Sequence, residues 1–382
     1  MKFLHLADLH IGKSVNSFTM LGEQRHAFDQ IIGHIQKERP AAVVVAGDVY
    51  DRAVPGTEAV RLFDDFLTEL SREDVSVMVV SGNHDSPERL SYASRLLSDK
   101  GIHICGAFCG SLQKVALADE HGSVNFWLLP FIKPSSVQGV LGGIEIESYD
   151  EAVRAAVEAS GIDYSERNVL VSHQFYTLHG AAPVRSDSEL NPVGGLDAVS
   201  SKIIMHFDYA ALGHLHSAQS AGLPHVRFAG APVKYSFSEM RQEKSVTLVE
   251  IGKKGDLSTA ALALRPLHDM REIKGSLEML TGSEALALAD KEDYLRVVLT
   301  DEEEIIDPLG KLRSVYPNIM SLGFENSRTR VDIAAIAAGA ERVERLSAFD
   351  LFSEFFLDMQ GSAMSKEQAD IAMRLFERGG DE

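Results

Sequence analysis

Short polar motifs follow five separate apolar runs of this chain, and this repeated pattern constrains the fold more than any other feature. The runs cover residues 3–7, 41–46, 75–80, 169–171 and 209–212. Val, Leu and Ala dominate them, as is typical of strands in a sheet that is covered on both faces. In open α/β sheets the ligand site lies beyond the carboxyl ends of the strands, so the five distant motifs are predicted to converge there.

The residue types in these motifs are those that hold divalent metal ions. The motifs are Asp8-Leu9-His10, Gly47-Asp48, Gly82-Asn83-His84-Asp85, His173 and Gly213-His214-Leu215-His216. A pair of cations about 3.5 to 4 Å apart needs a bridging carboxylate, several N and O ligands, and open positions for water and phosphate. The mixture of imidazole, carboxylate and amide favours manganese, iron or zinc over calcium. Together the motifs predict a two-metal phosphoesterase centre.

Each motif alone is weak support for a metal site. A single histidine such as His173 is more often hydrogen-bonded in a core than bound to a metal ion. The Gly-Asn-His-Asp and Gly-His-Leu-His motifs also fit a turn that is followed by the start of a helix. Their occurrence together, each after a predicted strand, is what favours the metal centre.

Chain length and cysteine content indicate a large intracellular protein. The 382 residues exceed the roughly 250 to 300 at which a single core stops growing, so two domains and a tail are predicted. Cys105 and Cys109 lack further Cys or His at zinc-finger spacing and are predicted to be buried thiols in a reducing compartment. His5 and Asp8 interrupt any apolar signal segment, and no membrane-length apolar stretch follows. A cytoplasmic location without membrane contact is expected.

Net charge opposes simple binding of nucleic acid. The chain has 37 basic and 56 acidic residues, a formal net charge of −19, which repels a phosphate backbone. Affinity for DNA would have to come from the bound cations, a local basic patch or a basic partner. Residues 11–20, and residues 185–189 with 192–195, flank predicted ligand-bearing strands and are placed to touch DNA, but their composition is equally typical of solvated loops.

The order of predicted elements indicates three regions. Strands and helices alternate up to about residue 97, a β-rich part follows, and a two-sheet α/β sandwich flanked by helices closes near residue 265. A small α/β module is predicted for residues 270–328, with Asp307 as the N-cap of its helix before Pro308. Residues 340–382 have the apolar spacing of two amphipathic helices, and Ser365 to Gln368 form a capping box before the second.

The motifs resemble those of the calcineurin-like metallophosphoesterases, and most closely those of the SbcD exonuclease subunits. Residues 230–239 also resemble a later segment of that family, with Ala231 in place of its serine. The resemblance assigns one ion to Asp8, His10 and His216, the other to Asn83, His173 and His214, and the bridging position to Asp48. It leaves His84 for proton chemistry, either stabilising the pentavalent phosphorus or protonating the departing alkoxide.

The resemblance also implies an activity and partners. The expected protein is a manganese-dependent nuclease that trims double-stranded DNA from its ends, cuts hairpins and nicks single strands, in DNA repair, recombination and replication. Residues 1–265 would form the nuclease domain, residues 270–328 a capping domain, and residues 340–382 the helices that bind an SbcC-type coiled-coil ATPase, in a heterotetramer built on a homodimer. The chain has no Gly-x-x-x-x-Gly-Lys-Ser/Thr motif, so ATP dependence would come from that partner.

Alternatives remain open from the sequence. A general metallophosphoesterase that acts on small diesters or monoesters would use the same ligands, and a non-catalytic scaffold would keep the fold. The terminal helices could instead dock on their own chain. Asp51 and Asp85 are candidates for orienting the imidazoles, although aspartates in polar turns are equally common.

Overall fold

A computed structural model describes residues 1–143, 145–178, 183–189, 198–283 and 291–327, and positions 349, 352–353, 356–357, 364–366, 368–369 and 371–373. The strands in this part of the chain are β1 (Lys2–Leu6), β2 (Ser14–Val15), β3 (Phe18–Thr19), β4 (Ala42–Ala46), β5 (Ser76–Val80), β6 (Ile102–Cys105), β7 (Gln113–Asp119), β8 (Gly122–Leu129), β9 (Arg167–His173), β10 (Tyr176–Thr177), β11 (Val199–Ser200), β12 (Tyr209–Gly213), β13 (Gln219–Ser220), β14 (Val226–Phe228), β15 (Ser245–Ile251), β16 (Leu257–Ala263), β17 (Met270–Gly275), β18 (Tyr294–Leu299) and β19 (Ile319–Phe324). The helices are α1 (Leu21–Glu38), α2 (Thr57–Arg72), α3 (Pro87–Leu90), α4 (Ser94–Ser98), α5 (Pro134–Leu141), α6 (Tyr149–Glu158), α7 (Leu277–Thr281) and α8 (Pro308–Arg313).

Two six-stranded sheets form the first and larger part of the protein. The first has the order β16-β15-β1-β4-β5-β6, and its neighbouring strands β1, β4, β5 and β6 run parallel. The second has the order β13-β14-β12-β9-β8-β7, with β14, β12, β9 and β8 parallel. All five predicted ligand-bearing strands belong to these parallel segments. The predicted two-sheet α/β sandwich is therefore confirmed.

Burial on both faces explains the continuous apolar runs. Leu4 and Leu6 of β1 pack in a core with α1 and α2, whereas Phe3 belongs to the core between the two sheets. There the Phe3 ring meets Phe126 of the second sheet edge to face, with 5.3 Å between the ring centroids. A further core covers the outer face of the second sheet with α5 and α6. Because neither face of a central strand meets water, apolar and polar residues do not alternate along it.

The first two long helices are the predicted crossover helices. On α1, Phe28, Ile31 and Ile35 are buried, and on α2 Phe63 and Phe66 are buried. The Phe28 and Phe66 rings stack with their centroids 4.3 Å apart. Burial of each such side chain contributes about 1.5 to 3 kcal/mol. The helices thus fix β1, β4 and β5 as a rigid support for the loops that follow them.

The described residues fall into two compact units. The first unit contains the residues up to Glu272 and two short segments that end at Arg296 and at Ser321. The second unit contains the other described residues. Strands β17, β18 and β19 form a three-stranded sheet in that order. The predicted N-cap of α8 is confirmed, because the Asp307 carboxylate accepts the N–H of Gly310 at 3.0 Å with Pro308 in the first turn.

Most of the predicted C-terminal helices lie outside the described residues. Their capping box is confirmed, since Ser365 N–H donates to Gln368 Oε1 at 2.9 Å and Gln368 N–H donates to Ser365 Oγ at 3.3 Å. Among the helices that the structure describes, none combines the length and the apolar character needed to cross a membrane.

The two cysteines differ in their surroundings. Both thiols are free, and Cys105 at the end of β6 is buried, but Cys109 is exposed. The prediction of two buried thiols is therefore wrong for Cys109. The reason is its position in the surface connection between β6 and β7, where the chain has left the sheet.

Candidate metal centre

The predicted site residues converge from both sheets, as the sequence indicated. Loops after β1, β4 and β5 bring in the residues up to His84, and the ends of β9 and β12 bring in the remaining histidines. Three overlapping groups each have ligand atoms within 4.8 Å of one another, namely Asp8-His10-His216, His10-Asp48-His84 and Asp8-Asp48-His173. Asn83 and His214 join them through the contacts given below.

One cluster of donor atoms forms around His10. His10 Nε2 lies 3.0 Å from His216 Nε2 and 3.5 Å from Asp48 Oδ2. His10, His216 and Asp8 are almost completely buried. This cluster contains the residues that the family resemblance assigns to the first ion.

A second cluster forms around Asn83. Its Oδ1 atom lies 3.0 Å from His173 Nε2 and 3.2 Å from His214 Nδ1. His173 Nε2 is also 3.4 Å from Asp48 Oδ2. The same Asp48 oxygen therefore lies within 3.5 Å of a histidine nitrogen in each cluster. This is the position that a bridging carboxylate requires.

The protonation pattern of His173 fits a cation at the second cluster. Its Nδ1 atom lies 2.8 Å from the carbonyl oxygen of Ala46, which can only accept, so Nδ1 carries a proton. In the neutral form that a metal ligand needs, the lone pair of Nε2 would face Asn83 Oδ1 and Asp48 Oδ2. Three acceptor atoms that face each other repel unless a positive charge lies among them. A histidine fixed by a main-chain carbonyl is also the usual arrangement for a metal ligand.

Electrostatics favour the metal-binding protonation state of some candidate ligands and oppose that of others. Burial lowers the pKa of His10 well below its usual value and that of His214 to about 3, so both rings are neutral. Burial also raises the pKa of Asp8 to about 7, and a nearby cation would favour its ionised form. Burial disfavours a charged His173, but the Asp48 carboxylate outweighs burial and raises its pKa to about 9. A dication would displace that proton on binding.

Several candidate ligands adopt a backbone conformation that is unfavourable for residues other than glycine. The φ angles are 53° at Asp8, 42° at His10, 49° at Asp48 and 104° at His214. Such conformations cost about 1 to 3 kcal/mol each and persist only where the surroundings impose them. Here His10 N–H donates to the Asp48 carbonyl at 2.9 Å, and His214 N–H donates to Asp8 Oδ1 at 2.9 Å. The ligand loops therefore hold one another in place.

Two glycines permit the close approach of these loops. A Cβ atom on Gly82 would lie 2.0 Å from Asp48 Oδ1, and one on Gly213 would lie 1.9 Å from the carbonyl oxygen of Ala46. No side chain fits at either distance. Steric exclusion of a side chain therefore explains why glycine precedes both Asn83 and His214.

His84 lies beside both clusters without belonging to either assigned ligand set. Its Nδ1 donates to the main-chain carbonyl of Asp51 at 2.9 Å, which fixes the ring. The ring lies at right angles to that of His10, with 4.8 Å between the centroids, and Nε2 is 4.0 Å from Asp48 Oδ2. The half-buried Nε2 edge is free to meet a substrate from this position.

The two acidic residues that the sequence offers for orienting imidazoles have different surroundings. The Asp85 carboxylate contacts no histidine among its hydrogen-bond partners and instead accepts main-chain N–H groups from Val49, Tyr50 and Gly82 at 2.9 to 3.0 Å. A histidine-orienting role is therefore wrong for Asp85, because a side chain pointing into the turn meets unpaired backbone donors first. The Asp51 carboxylate bonds Lys13 and lies 3.7 Å from His10 Nδ1, so its role stays a prediction.

We expect Asp85→Ala to lower the free energy of unfolding by about 3 kcal/mol, since it would leave three backbone donors without an acceptor in a buried place. Urea unfolding followed by circular dichroism measures this change. Ser98→Ala, which removes an exposed hydroxyl bonded only to Arg95, should change stability by less than about 0.5 kcal/mol. A loss below about 1 kcal/mol for Asp85→Ala would contradict the assignment.

Sequence reasoning missed the residues that support the ligands from behind. Gln24 donates to the carbonyl of His10 at 2.7 Å, and Tyr235 donates to the carbonyl of Leu9. Ser188 and Glu239 contact the side of His216 opposite His10. Segments 185–189 and 230–239 stand out in the sequence as a loop and as a family segment, but neither pattern indicates a contact with a ligand. Only tertiary structure brings them there.

This chain is similar to known phosphoesterases and nuclease subunits. Residues 1–218 match the family model of calcineurin-like phosphoesterases, and residues 266–360 match the SbcD model described as the type 5 capsule protein repressor C-terminal domain. The chain is 30% identical over 376 residues to a Staphylococcus epidermidis protein named as the SbcD subunit of the nuclease SbcCD, covering 97% of this chain and 96% of that protein. The chain belongs to the SbcD family of calcineurin-like phosphoesterases.

This SbcD-family chain is also similar to a second curated protein and to a solved structure. The SbcD subunit of the nuclease SbcCD from Staphylococcus saprophyticus is 31% identical over 326 residues, 84% of each chain. Among solved structures, a dimetal phosphatase from Danio rerio covers 68% of this chain and 95% of its own length, at 14% identity and a TM-score of 0.40. The family matches confirm the predicted metallophosphoesterase fold and a divalent metal-dependent phosphoesterase.

Proposed function

We propose that this chain is the nuclease subunit of an SbcCD-type complex, a two-metal phosphodiesterase that trims double-stranded DNA ends and cuts hairpins and single strands. The observation that carries the proposal is the single Asp48 oxygen within 3.5 Å of a histidine from each donor cluster. The match to a nuclease SbcCD subunit along nearly the whole chain supports DNA as the phosphodiester substrate.

The donor set supports two ions held as the resemblance implied. Asp8, His10 and His216 would hold one, Asn83, His173 and His214 the other, and Asp48 both. When bound, two dications would lower the pKa of a water molecule and neutralise the charge that builds on the phosphate. The combination of imidazoles with carboxylate and amide oxygens suits manganese, iron or zinc, and the family resemblance makes manganese the first choice.

His84 is the proposed catalytic residue. Its Nδ1 proton is committed to the Asp51 carbonyl, so exchange with substrate must take place at Nε2. In the imidazolium form, Nε2–H would stabilise the charge on the phosphate or be donated to the departing alkoxide.

Arg185 is the proposed contact to the DNA backbone in this acidic chain. Its guanidinium carbon lies 3.9 Å from the centroid of the Phe175 ring, and that ring lies 5.8 Å from the ring of His214. Stacking on Phe175 thus keeps a positive charge beside the second donor cluster, where a neighbouring phosphate of the strand would pass.

We expect Arg185→Ala to raise the KM for DNA by about tenfold with a smaller change in kcat, and to reduce the salt slope of binding by about one. Cleavage rates and fluorescence anisotropy at several salt concentrations measure both. Arg61→Ala is the matched control, since Arg61 pairs with Glu58 on the exposed face of α2. An unchanged salt slope for Arg185→Ala would exclude the contact.

The proposed domains follow the sequence boundaries. Residues 1–265 would form the nuclease domain that cuts DNA, and residues 270–328 would form the capping domain. Residues 340–382 would bind an SbcC-type coiled-coil ATPase that holds the DNA. Large apolar side chains of this last region are exposed, with Leu357 46%, Ile371 60% and Met373 45% accessible. Such helical anchors suit a groove on a partner.

A homodimer within a heterotetramer is the proposed assembly, and the cytoplasm is the proposed location. Val54, Tyr92 and Leu96 in the first unit are 66%, 83% and 74% exposed, and a second copy that covered them would bury apolar surface. Helix α1 offers less for that face, because its apolar residues Phe28 and Ile31 are buried. The free thiols and a DNA substrate both fit the cytoplasm.

Cleavage of a labelled DNA duplex and a labelled hairpin by purified protein with Mn²⁺ tests the proposal, with and without the ATPase partner. Bis(p-nitrophenyl) phosphate serves as the small diester. Cutting of DNA that needs the metal and rises with the partner is expected. Rapid hydrolysis of the small diester with intact DNA would instead identify a general phosphodiesterase, and inactivity on both, with metal bound, a scaffold.

A further inference from the structure

The ring of His216 is held from behind by a buried polar network that the assignment of ligands does not use. Ser188 Oγ lies 2.8 Å from His216 Nδ1, and the Ser188 hydroxyl donates to Glu239 Oε1 at 2.7 Å. Glu239 is completely buried. Its other oxygen accepts a hydrogen bond of 2.6 Å from Lys244. A buried carboxylate therefore lies one hydroxyl away from a candidate metal ligand.

The order of donors and acceptors in this network determines where the His216 proton lies. A serine hydroxyl has one proton, and Ser188 gives it to the Glu239 carboxylate, which can only accept. Ser188 Oγ must then accept from His216 Nδ1–H. The lone pair of the neutral ring is left on Nε2, the atom that faces His10 Nε2 at 3.0 Å. The network selects the tautomer that binds a metal ion through Nε2.

Further contacts fix the network in this arrangement. Lys244 also donates to the carbonyl oxygen of His216 at 3.0 Å, so one ammonium group ties the ligand residue to Glu239. Glu189 Oε1 accepts the N–H of His216 at 2.8 Å. The buried Glu239 carboxylate is paired with the Lys244 ammonium group at 2.6 Å, so the group that accepts the Ser188 hydroxyl is held in an ion pair.

We propose that Ser188 and Glu239 are positioning residues that set the tautomer and orientation of His216, and thereby the affinity of the ion site formed with Asp8 and His10. The inference rests on the proposed two-metal function. Removal of a hydrogen-bond partner of a ligating histidine typically lowers metal affinity about 10- to 100-fold.

The two ion sites differ in this respect, which makes the effect selective. His173, in the other cluster, is oriented by the main-chain carbonyl of Ala46, which no side-chain substitution removes. Loss of Ser188 or Glu239 should therefore weaken only the site that contains His216. The Asn83 site keeps all its contacts.

Titration of the full-length protein with Mn²⁺, by calorimetry and electron paramagnetic resonance, tests the inference. Wild type is expected to bind two ions with the spectrum of an exchange-coupled pair. In Ser188→Ala and in Glu239→Gln, one ion should bind as in wild type, the other about 10- to 100-fold more weakly, and the spectrum of isolated Mn²⁺ should appear between the two events. Ser238→Ala is the matched control, because this exposed hydroxyl bonds Ser236 and Asp187 N–H instead of His216.

Two further variants separate positioning from a general loss of structure. Ser188→Thr restores a hydroxyl and should restore the tight second ion, and the double variant Ser188→Ala/Glu239→Gln should be no weaker than either single variant. Thermal unfolding in chelator should be similar for wild type, Ser188→Ala and Ser188→Thr, whereas Glu239→Gln also unpairs the buried Lys244 and should unfold at a lower temperature.

The outcomes distinguish failure of the inference from failure of the function. Two ions at wild-type affinity in both single variants, or equal weakening at both sites, would overturn the inference alone. Fewer than two ions in wild type would overturn the two-metal centre and the inference with it.

Discussion

Asp48→Asn is expected to lower DNA cleavage by at least about 10³-fold, roughly 4 kcal/mol of transition-state stabilisation, and to reduce the number of bound ions. Asp48 Oδ2 lies 3.5 Å from His10 Nε2 and 3.4 Å from His173 Nε2, so both ions would lose the same negative charge. The amide keeps the shape of the carboxylate, and its oxygen can still accept the His84 N–H that Asp48 Oδ1 accepts at 2.9 Å. The defect should therefore come from charge and leave the fold intact.

Metal content by mass spectrometry and hairpin cleavage by gel measure this prediction together. Asp208→Asn is a suitable control, because that carboxylate accepts Asn168 N–H at 2.7 Å and pairs with Lys254, away from the centre. It should keep both ions and activity. An Asp48→Asn protein that holds two ions and cuts DNA within tenfold of wild type would remove Asp48 from the bridging position.

His84→Ala is expected to lower kcat by about 10²- to 10⁴-fold while both ions remain bound. The ring adjoins His10 at 4.8 Å but belongs to neither assigned ligand set, so its removal takes away proton chemistry without a metal ligand. Single-turnover cleavage of DNA at saturating Mn²⁺ and metal content are the measurements. His103→Ala, a histidine of β6, controls for loss of an imidazole elsewhere.

Substrates with different leaving groups distinguish protonation of the leaving group by His84 from charge stabilisation by His84. p-Nitrophenolate departs without protonation, so a general acid contributes little to bis(p-nitrophenyl) phosphate hydrolysis, and the His84→Ala defect should shrink on this substrate. An equal defect on both substrates would assign His84 to charge stabilisation alone. Loss of one ion in His84→Ala would indicate that His84 is a metal ligand and would contradict its proposed role.

The strands and the convergence of the motifs were accessible from sequence because both have simple physical signatures. Runs such as residues 41–46 lack alternation since the strand is buried on both faces, and a polar motif after such a run can only lie at a strand end. Parallel strands then bring these ends together. The positions of Asp8, Asp48 and His214 followed from that rule.

The surroundings of the ligands were not accessible in the same way. Ser188 and Glu239 are 51 residues apart and carry no periodic pattern, so their shared contact with His216 depends on how distant loops pack. Aspartate tolerates the left-handed backbone of Asp8 and Asp48 better than most residues, but the sequence does not show which aspartates adopt it, and contacts between loops decide that. Local rules fail at such positions because tertiary contacts decide them.

The distribution of the centre over both sheets has a consequence during synthesis. Asp8, Asp48 and His84 belong to the loops of the first sheet, which leave the ribosome early, whereas His214 and His216 follow β12 of the second. A nascent chain that ends before β12 holds an incomplete set of donors, and β15, which lies beside β1 in the first sheet, is made later still. A growing chain therefore acquires the complete donor set only after strands of both sheets have been made, so metal-dependent hydrolysis cannot precede closure of the sandwich.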